Sequence, residues 1–281
     1  MTAGPTAGLR RFEVPYAALL ADDPALGEIG VLPWDGEIFG FAVADYRPGP
    51  ADALERRAAD FVDALESWAL RNAVELVACR VPADSTKTPT VLEAAGFRFI
   101  ELQTQATLAR LDPGRLSPCR LTVRAAERAD HEAILALAGS AFAHGRYHSD
   151  SLFPRSLADR RFRAWVLRAI SEPTGATWIG VVGPAGQPAA FLHAETESSV
   201  ADIRLTAADP EKAGLAGPEL VLGALHALAS RGARRVTARL SAANTAAMNV
   251  YASLGFRFHD PSVVLHWIRP GAPHLASPTP A

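Results

Sequence analysis

Two stretches of this chain repeat one pattern: STKTPTVLEAAGFRF at 85–99 and SAANTAAMNVYASLGFRF at 241–258 lie about 160 residues apart and close on the same Gly-Phe-Arg-Phe. What precedes them repeats as well. Leu54, Ala58, Phe61, Leu65 and Trp68 recur at helical spacing before ELVACRV, a short run with strand character. Val221, Ala224, Leu225 and Leu228 do the same before RRVTARL, in which Val236, Ala238 and Leu240 alternate, and Gly232 suits the helix end between them. Each strand then leads through a polar bend into a helix that stops at Gly96 or Gly255, a position where glycine accepts the positive φ that a Cβ resists. Repetition in this order constrains the chain to two copies of one α/β unit, with a period too long for a solenoid.

The copies are unequal. The second opens at Leu121 with LTVRAAERADHEAILALA, a strand and an amphipathic helix, and the first has fewer elements ahead of its repeat. Two prolines and a glycine interrupt ARLDPGRLSPC at 109–119, which places the expected boundary there. The domains expected are residues 1–115, a degenerate first unit; residues 116–269, a complete second unit; and a Pro/Ala/Ser-rich tail at 270–281 that reads as disordered.

Composition narrows the partners. A net charge of −2 without a Lys/Arg run argues against nucleic acid and anionic membranes, which leaves a small molecule. With 49% apolar and 21% charged residues the chain reads as globular; no apolar run approaches the ~18 residues of a span, and the start reads as no leader, so a cytoplasmic protein is expected. Cys79 and Cys119 lack metal or redox spacing and read as reduced structural thiols. Association into a homodimer stays open, because apolar surface is not recognisable before the fold is.

Asn244, Ala247, Tyr251, Gly255 and Phe256 carry the chemistry-bearing pattern. Tyr251 follows Asn244 by seven residues, two helical turns, so both reach one side of a helix. The pattern resembles the C-terminal signature of the GNAT superfamily of acyl-CoA-dependent N-acyltransferases. That resemblance implies an α/β (α+β) fold of tandem GNAT-like units, each a mixed twisted sheet flanked by helices, with the N-terminal unit truncated and degenerate. It implies acetyl-CoA or another acyl-CoA as cosubstrate, no metal, a small-molecule amine as acceptor, and Tyr251 as the acid that protonates the departing thiolate. A buried tyrosine that only packs its helix is the plainer alternative. PAAFLHAETE at 188–197 fits the family's central strand, where His193, Glu195 and Glu197 share one face at period two. Glu195 is the first choice of base and His193 a neighbour of the acceptor; a solvated strand face is the alternative.

The resemblance weakens at the expected phosphate loop, ADPEKAGLAGPELVLGALHAL at 208–228. A helix N-terminus there would hold the pyrophosphate through its free N–H groups. Gly214 and Ala216, or Gly217, fill the small positions, Asn244 completes the cofactor contacts, and Lys212 is the cation within the loop. Against this, Glu211 or Glu219 would face the phosphates, and Pro218 removes an N–H, a loss that is harmless in a first turn.

Two further stretches, LPWDGEIFGF and HGRYHSDSLFPRSLADRRFRAW, resemble motifs of dTDP-fucosamine acetyltransferase-like proteins, which join a truncated unit to a complete one and acetylate a nucleotide-linked amino sugar. By that resemblance Arg146 and His148, following the first helix of the complete unit, contact substrate, with Trp34 as a further contact; a core role for Trp34 and Phe39 is equally open. His144, His148 and Asp150 do not make a metal motif. Two rivals remain: a GNAT scaffold repurposed for CoA-independent chemistry on a small molecule, and a catalytically silent binding protein. In the first copy Ser85, Thr88 and Leu92 occupy the places of Asn244, Ala247 and Tyr251, so that copy is expected to be structural.

Overall fold

The computed structural model describes residues 14–20, 23–171, 175–182, 187–209, 211 and 213–275. The chain forms two compact units, and neither is continuous in sequence. The first comprises 1–102, 146–161 and 261–281; the second comprises 103–145 and 162–260.

The first unit contains β1 (Ala17–Leu20), β2 (Asp23–Val31), α1 (Pro33–Phe39), β3 (Ala42–Arg47), α2 (Ala51–Arg56), α3 (Ala58–Arg71), β4 (Val74–Pro82) and α4 (Lys87–Ala94). The strand after α4 is β5 (Arg98–Leu108), whose residues from Gln103 onward belong to the second unit. That unit adds β6 (Thr122–Ala125), α5 (His131–Ala141), α6 (Arg155–Ser171), β7 (Ala176–Val182), β8 (Gln187–Glu197), β9 (Val200–Ala208), α7 (Ala213–Ser230), β10 (Arg235–Ser241) and α8 (Thr245–Ser253). The opening residues of α6, as far as Arg161, count with the first unit. Finally β11 (Arg257–Ile268) returns from Pro261 onward to the first unit.

Both units use one strand pattern. In the first, β2 and β3 are antiparallel, β3 and β4 parallel, and β4 pairs antiparallel with β11, from Ser262↔Pro82 to Ile268↔Leu76. In the second, β8 and β9 are antiparallel, β9 and β10 parallel, and β10 pairs antiparallel with β5, from Val236↔Leu108 to Ser241↔Gln103. The strand that follows each Gly-Phe turn therefore completes the unit of the other copy.

The turns themselves are the same. Gly96 has φ 91° and Gly255 φ 84°, as glycine permits. Phe97 N–H donates to Leu92 O and Phe256 N–H to Tyr251 O, each at 3.0 Å, which satisfies a carbonyl that the helix end would leave bare. The helix expected from Leu54 is broken into α2 and α3 at Arg57, whose side chain ion-pairs with Asp23 and Asp60.

In the first unit both faces of β4 are covered, which is why Leu76, Val77, Ala78 and Cys79 at its centre are all apolar and buried. Val77 and Cys79 pack with Phe61, Leu65 and Leu92 of the helices on one side. Leu76 and Ala78 pack on the other with Phe39 of α1, Tyr147, Phe153, Ala158 and Leu275. The second face is thus built from the segment 146–158, which the sequence assigns to the other unit.

The boundary expected at 115/116 does not divide the chain this way. Residues 109–121 are packed rather than linking: Leu111 N–H donates to Arg234 O at 2.7 Å, and the Cys119 thiol lies 3.2 Å from Leu121 O and 3.3 Å from Glu219 O. The tail expected to be disordered from residue 270 is likewise fixed as far as Leu275. Ala272 and Leu275 are buried, and the buried Glu75 carboxylate accepts from His274 N–H and pairs with its Nδ1. Its remainder, 276–281, lies outside the described residues. No helix among the described residues is long and apolar enough to cross a membrane.

Asp150 anchors the 146–161 segment. Its buried carboxylate pairs with Arg98 at 2.9 Å and His266 Nδ1 at 2.8 Å, and accepts from Leu152 N–H at 3.0 Å. Burial opposes the charge, yet the bonds from His266, Arg98 and Leu152 hold the pKa at about 2, below its ordinary 3.8. Burial keeps the His266 pKa down, so the ring is the neutral partner. Because the folded pKa is depressed, Asp150 contributes about 1–2 kcal/mol of stability that is complete above about pH 5 and lost as pH falls towards 2. Asp150→Asn is expected to lower the urea midpoint at pH 7 and to flatten the acid limb of stability against pH. An unchanged acid limb in the variant would show that other carboxylates govern it.

Candidate functional site

In the second unit the parallel ladder between β9 and β10 begins at Val200↔Arg235 and stops at Ile203↔Ala238. Beyond it β9 remains paired to β8 as far as Ala208, and β10 to β5 as far as Ser241. The two strands part at their C-terminal ends, leaving facing backbone edges at 204–208 and 239–241. Each strand runs on there into a helix, α7 and α8.

The strand at this opening is β9, not the 188–197 stretch that the sequence suggests as central; that stretch is β8, one strand further out. A register shift at the opening reorders its faces. His193 pairs with Leu205 and Ala194 with Ile203, so Arg204 is an extra residue, a β-bulge. Ala201 and Ile203 before it pack with Leu220, Val221, Ala224 and Tyr251, on the α7/α8 side. Leu205 and Ala207 after it pack instead with Ile134, Val166 and Phe191, on the α5/α6 side. Strict alternation would keep all four on one face, so the bulge turns Thr206 towards α7 and α8.

Tyr251 lies in α8 with 5% of its surface exposed and its ring 4.9 Å from Phe256. Burial pushes its phenol up to about 12, opposed by the Thr206 hydroxyl beside it and reinforced by the charge of Asp202. The group is a fully protonated donor at neutral pH. Thr206 Oγ1 is itself buried and has no aligned hydrogen-bond partner among the described residues. In the first copy Leu92 is fully buried in the core at the equivalent place, which removes the phenol there.

Asn244 is the N-cap of α8, its Oδ1 accepting from Ala247 N–H at 3.0 Å. Position and residue type explain each other, since a side-chain carbonyl there satisfies a free N–H of the first turn. The first copy replaces this cap with a Ser85 to Thr88 hydroxyl pair at 2.8 Å.

The carboxylates are on the α5/α6 side. Arg204 Nη1 donates to Asp202 at 2.7 Å and its Nε is 3.5 Å from Glu195, all three side chains about 40% exposed. Thr237 donates to the second oxygen of Asp202 at 2.9 Å. Glu195 is therefore accessible and charge-paired. His193 is buried, Nδ1 2.9 Å from Thr177 Oγ1, and burial, then the nearby Arg204, pushes its pKa down to about 4. Such an imidazole is neutral, and its burial keeps it from an incoming amine, which favours the accessible Glu195 over His193 as base.

The phosphate-loop candidates divide. Lys212 lies outside the described residues. Gly214, Ala216 and Gly217 fall within α7, Ala216 buried and Gly217 facing open space. Pro218 is six residues into this helix rather than in its first turn, so its ring leaves the Gly214 carbonyl without the bond from residue i+4. Glu219 does not confront a ligand: Arg120 N–H binds its carboxylate and lowers its pKa.

Arg146, His148 and Trp34 belong to the first unit, and Tyr251, Glu195 and His193 to the second. The Asp35 carboxylate gathers the first group, bonded to Arg146 at 3.0 Å, Arg161 at 2.7 Å and Tyr147 Oη at 2.6 Å. Burial opposes that charge, but Arg161, Arg146 and Tyr147 hold its pKa below the ordinary range. The Arg161 guanidinium lies 5.0 Å from the Trp34 ring centre, and His148 Nε2 is 2.9 Å from Asp159. The two motif stretches thus bind each other. No set of three metal-ligating side chains occurs among the described residues.

No protein-family model matches the sequence, and no curated protein matches it. Solved structures do match. A GCN5-related N-acetyltransferase from Sphaerobacter thermophilus superposes with TM-score 0.63 at 17% identity, over 88% of this chain and 78% of that one. A tandem GNAT protein from the clavulanic acid biosynthesis pathway gives 0.56 at 16%, over 91% and 80%, and a GCN5-related N-acetyltransferase from Kribbella flavida gives 0.55 at 15%, over 94% and 93%. The fold is that of the GCN5-related N-acetyltransferases. In this N-acetyltransferase fold the mixed sheet and flanking helices agree with the architecture expected from the sequence, and at such identities the activity must be argued from the residues.

What the sequence missed is β9 with Asp202, Arg204 and Thr206. Its alternation at Ala201, Ile203, Leu205 and Ala207 was legible; the bulge that divides those residues between two faces was not. Asn244→Ala is expected to cost about 1 kcal/mol through the lost cap, with Asn244→Ser recovering most of it, read from thermal or urea midpoints. Equal stability of the unaltered protein and the Asn244→Ala variant would remove the capping assignment.

Proposed function

We propose that the second unit is an acyl-CoA-dependent N-acyltransferase that acetylates, or transfers another short acyl group to, the amine of a small molecule. The observation that carries this is the parting of β9 and β10 with the protonated Tyr251 phenol beside it. Two bare strand edges suit an extended, amide-bearing chain such as the arm of CoA, which can pair with them as a strand pairs. The thioester supplies the activated carbonyl. The backbone N–H groups along the edge of β9 hydrogen-bond the oxygen of the tetrahedral intermediate. Glu195, bracketed with Asp202 around Arg204, takes the proton from the amine nitrogen as the C–N bond forms, and Tyr251 gives its proton to sulfur as the C–S bond breaks. Glu195 then releases its proton to water, and water supplies one to the phenolate, which restores both groups.

A nucleotide-linked amino sugar is the acceptor that the WD and R-x-H-x-D motif resemblance favours, yet Asp35, Arg146 and Arg161 are occupied with one another, which supports a scaffold role for those motifs. CoA-independent chemistry is the second reading, and Pro218 within α7 favours it, since the helix start departs from the usual phosphate-binding pattern.

Calorimetry with acetyl-CoA and desulfo-CoA at millimolar concentration is expected to show binding; its absence would overturn the acyltransferase reading in favour of the second. Once an acceptor is found, Tyr251→Phe should lower kcat by about 10²- to 10⁴-fold with the KM for acyl-CoA little changed, measured by release of free thiol. Full turnover in that variant would remove Tyr251 as the acid.

A further inference from the structure

The bulge at Arg204 does more than shape the edge of β9. It sets the Thr206 hydroxyl on the side of the sheet occupied by Tyr251, where strict alternation would have placed it on the other side. There the oxygen is buried without an aligned partner, a state that costs about 1–3 kcal/mol and persists in proteins where a function uses the group. The equivalent helix position in the first copy is Leu92, so only the second copy unites the hydroxyl with a phenol.

We propose that Thr206 is a positioning residue for Tyr251: its O–H donates to the phenol oxygen, so that the phenol O–H is directed at the departing sulfur of the acyl donor. This rests on Tyr251 being the proton donor described above. The two hydroxyls are neighbours in the resting protein, where a turn of the Thr206 hydroxyl aligns the bond, and the bond strengthens as negative charge develops on the phenol oxygen. A donor to that oxygen stabilises the phenolate more than the phenol and so opposes the effect of burial, in keeping with the direction of the Thr206 contribution to Tyr251. In balance, the Tyr251 proton passes to sulfur, the O–H bond of Thr206 stays intact throughout, and water restores the phenol. Val is close to Thr in shape but lacks the donor, whereas Ser keeps it.

The full chain with tyrosine labelled at 13Cζ tests this without depending on turnover. It has four tyrosines, and Tyr251→Phe assigns the signal of interest. Thr206→Val is expected to move the Tyr251 signal while Thr206→Ser leaves it near its original place; Thr206→Ala replaces Val should Val fail to fold. An unmoved signal on removal of the hydroxyl overturns the proposal. In kinetics Thr206→Val should lower kcat about tenfold at unchanged KM for the acyl donor, Ser should rescue it, and the double variant with Tyr251→Phe should be no slower than Tyr251→Phe alone. Losses that multiply in the double variant also overturn it, because Thr206 would then act independently of Tyr251. A moved signal in a protein that transfers no acyl group supports the contact and refutes the acyltransferase reading, which separates the two claims.

Discussion

The structure depends on a reciprocal exchange of closing strands. β4 is an interior strand with apolar residues on both faces, and it needs a partner along its free edge; β11 supplies it from the end of the second copy. β10 has the same need, met by β5 from the end of the first copy. An uncovered edge of this length would be a template for pairing with other chains. The exchange gives the degenerate copy a use for its Gly-Phe turn: the turn launches the strand that completes the unit carrying Tyr251.

Inequality between the copies follows from the same division of labour. Leu92 fills the core where Tyr251 brings a phenol, and a hydroxyl pair of Ser85 and Thr88 stands where Asn244 caps α8. Both replacements keep the helix; the first discards the phenol, and the second puts hydroxyls in place of the amide. The first unit carries its charges elsewhere, in the Asp35 and Asp150 clusters that bind 146–161. Buried carboxylates with arginine partners fix a chain segment in one place more strictly than apolar packing does, because breaking one partnership strands a charge.

Local signals in the sequence were dependable where a local cause fixes the structure. Gly96, Gly255 and Gly232 end helices because only glycine accepts their φ cheaply, and their positions reveal the tandem organisation without any knowledge of contacts. Tyr251 was legible as a helix residue two turns from Asn244, while the capping role of Asn244 was not. The membership of 146–161 was not, since R-Y-H-S-D looks like any polar loop until Asp35, Arg98 and His266 are brought to it from distant points in the chain. Nor was the strand at the opening: 188–197 and 200–208 both alternate, and only the register of β10 shows which of them borders it. Pro218 and Glu219 look like first-turn residues in the sequence, but α7 begins at Ala213 and the Glu219 carboxylate is taken by Arg120 N–H.

The extra residue at Arg204 makes the pairing register of β9 as restrictive as its composition. Drawing Arg204 into regular pairing with no residue lost would carry Leu205 and Ala207 away from α5 and α6 and turn the Thr206 hydroxyl away from α8, whereas loss of Arg204 itself would keep all three on their present faces. The pairing register of this strand thus acts at once on two cores and on the proton donor, although no side chain changes its identity.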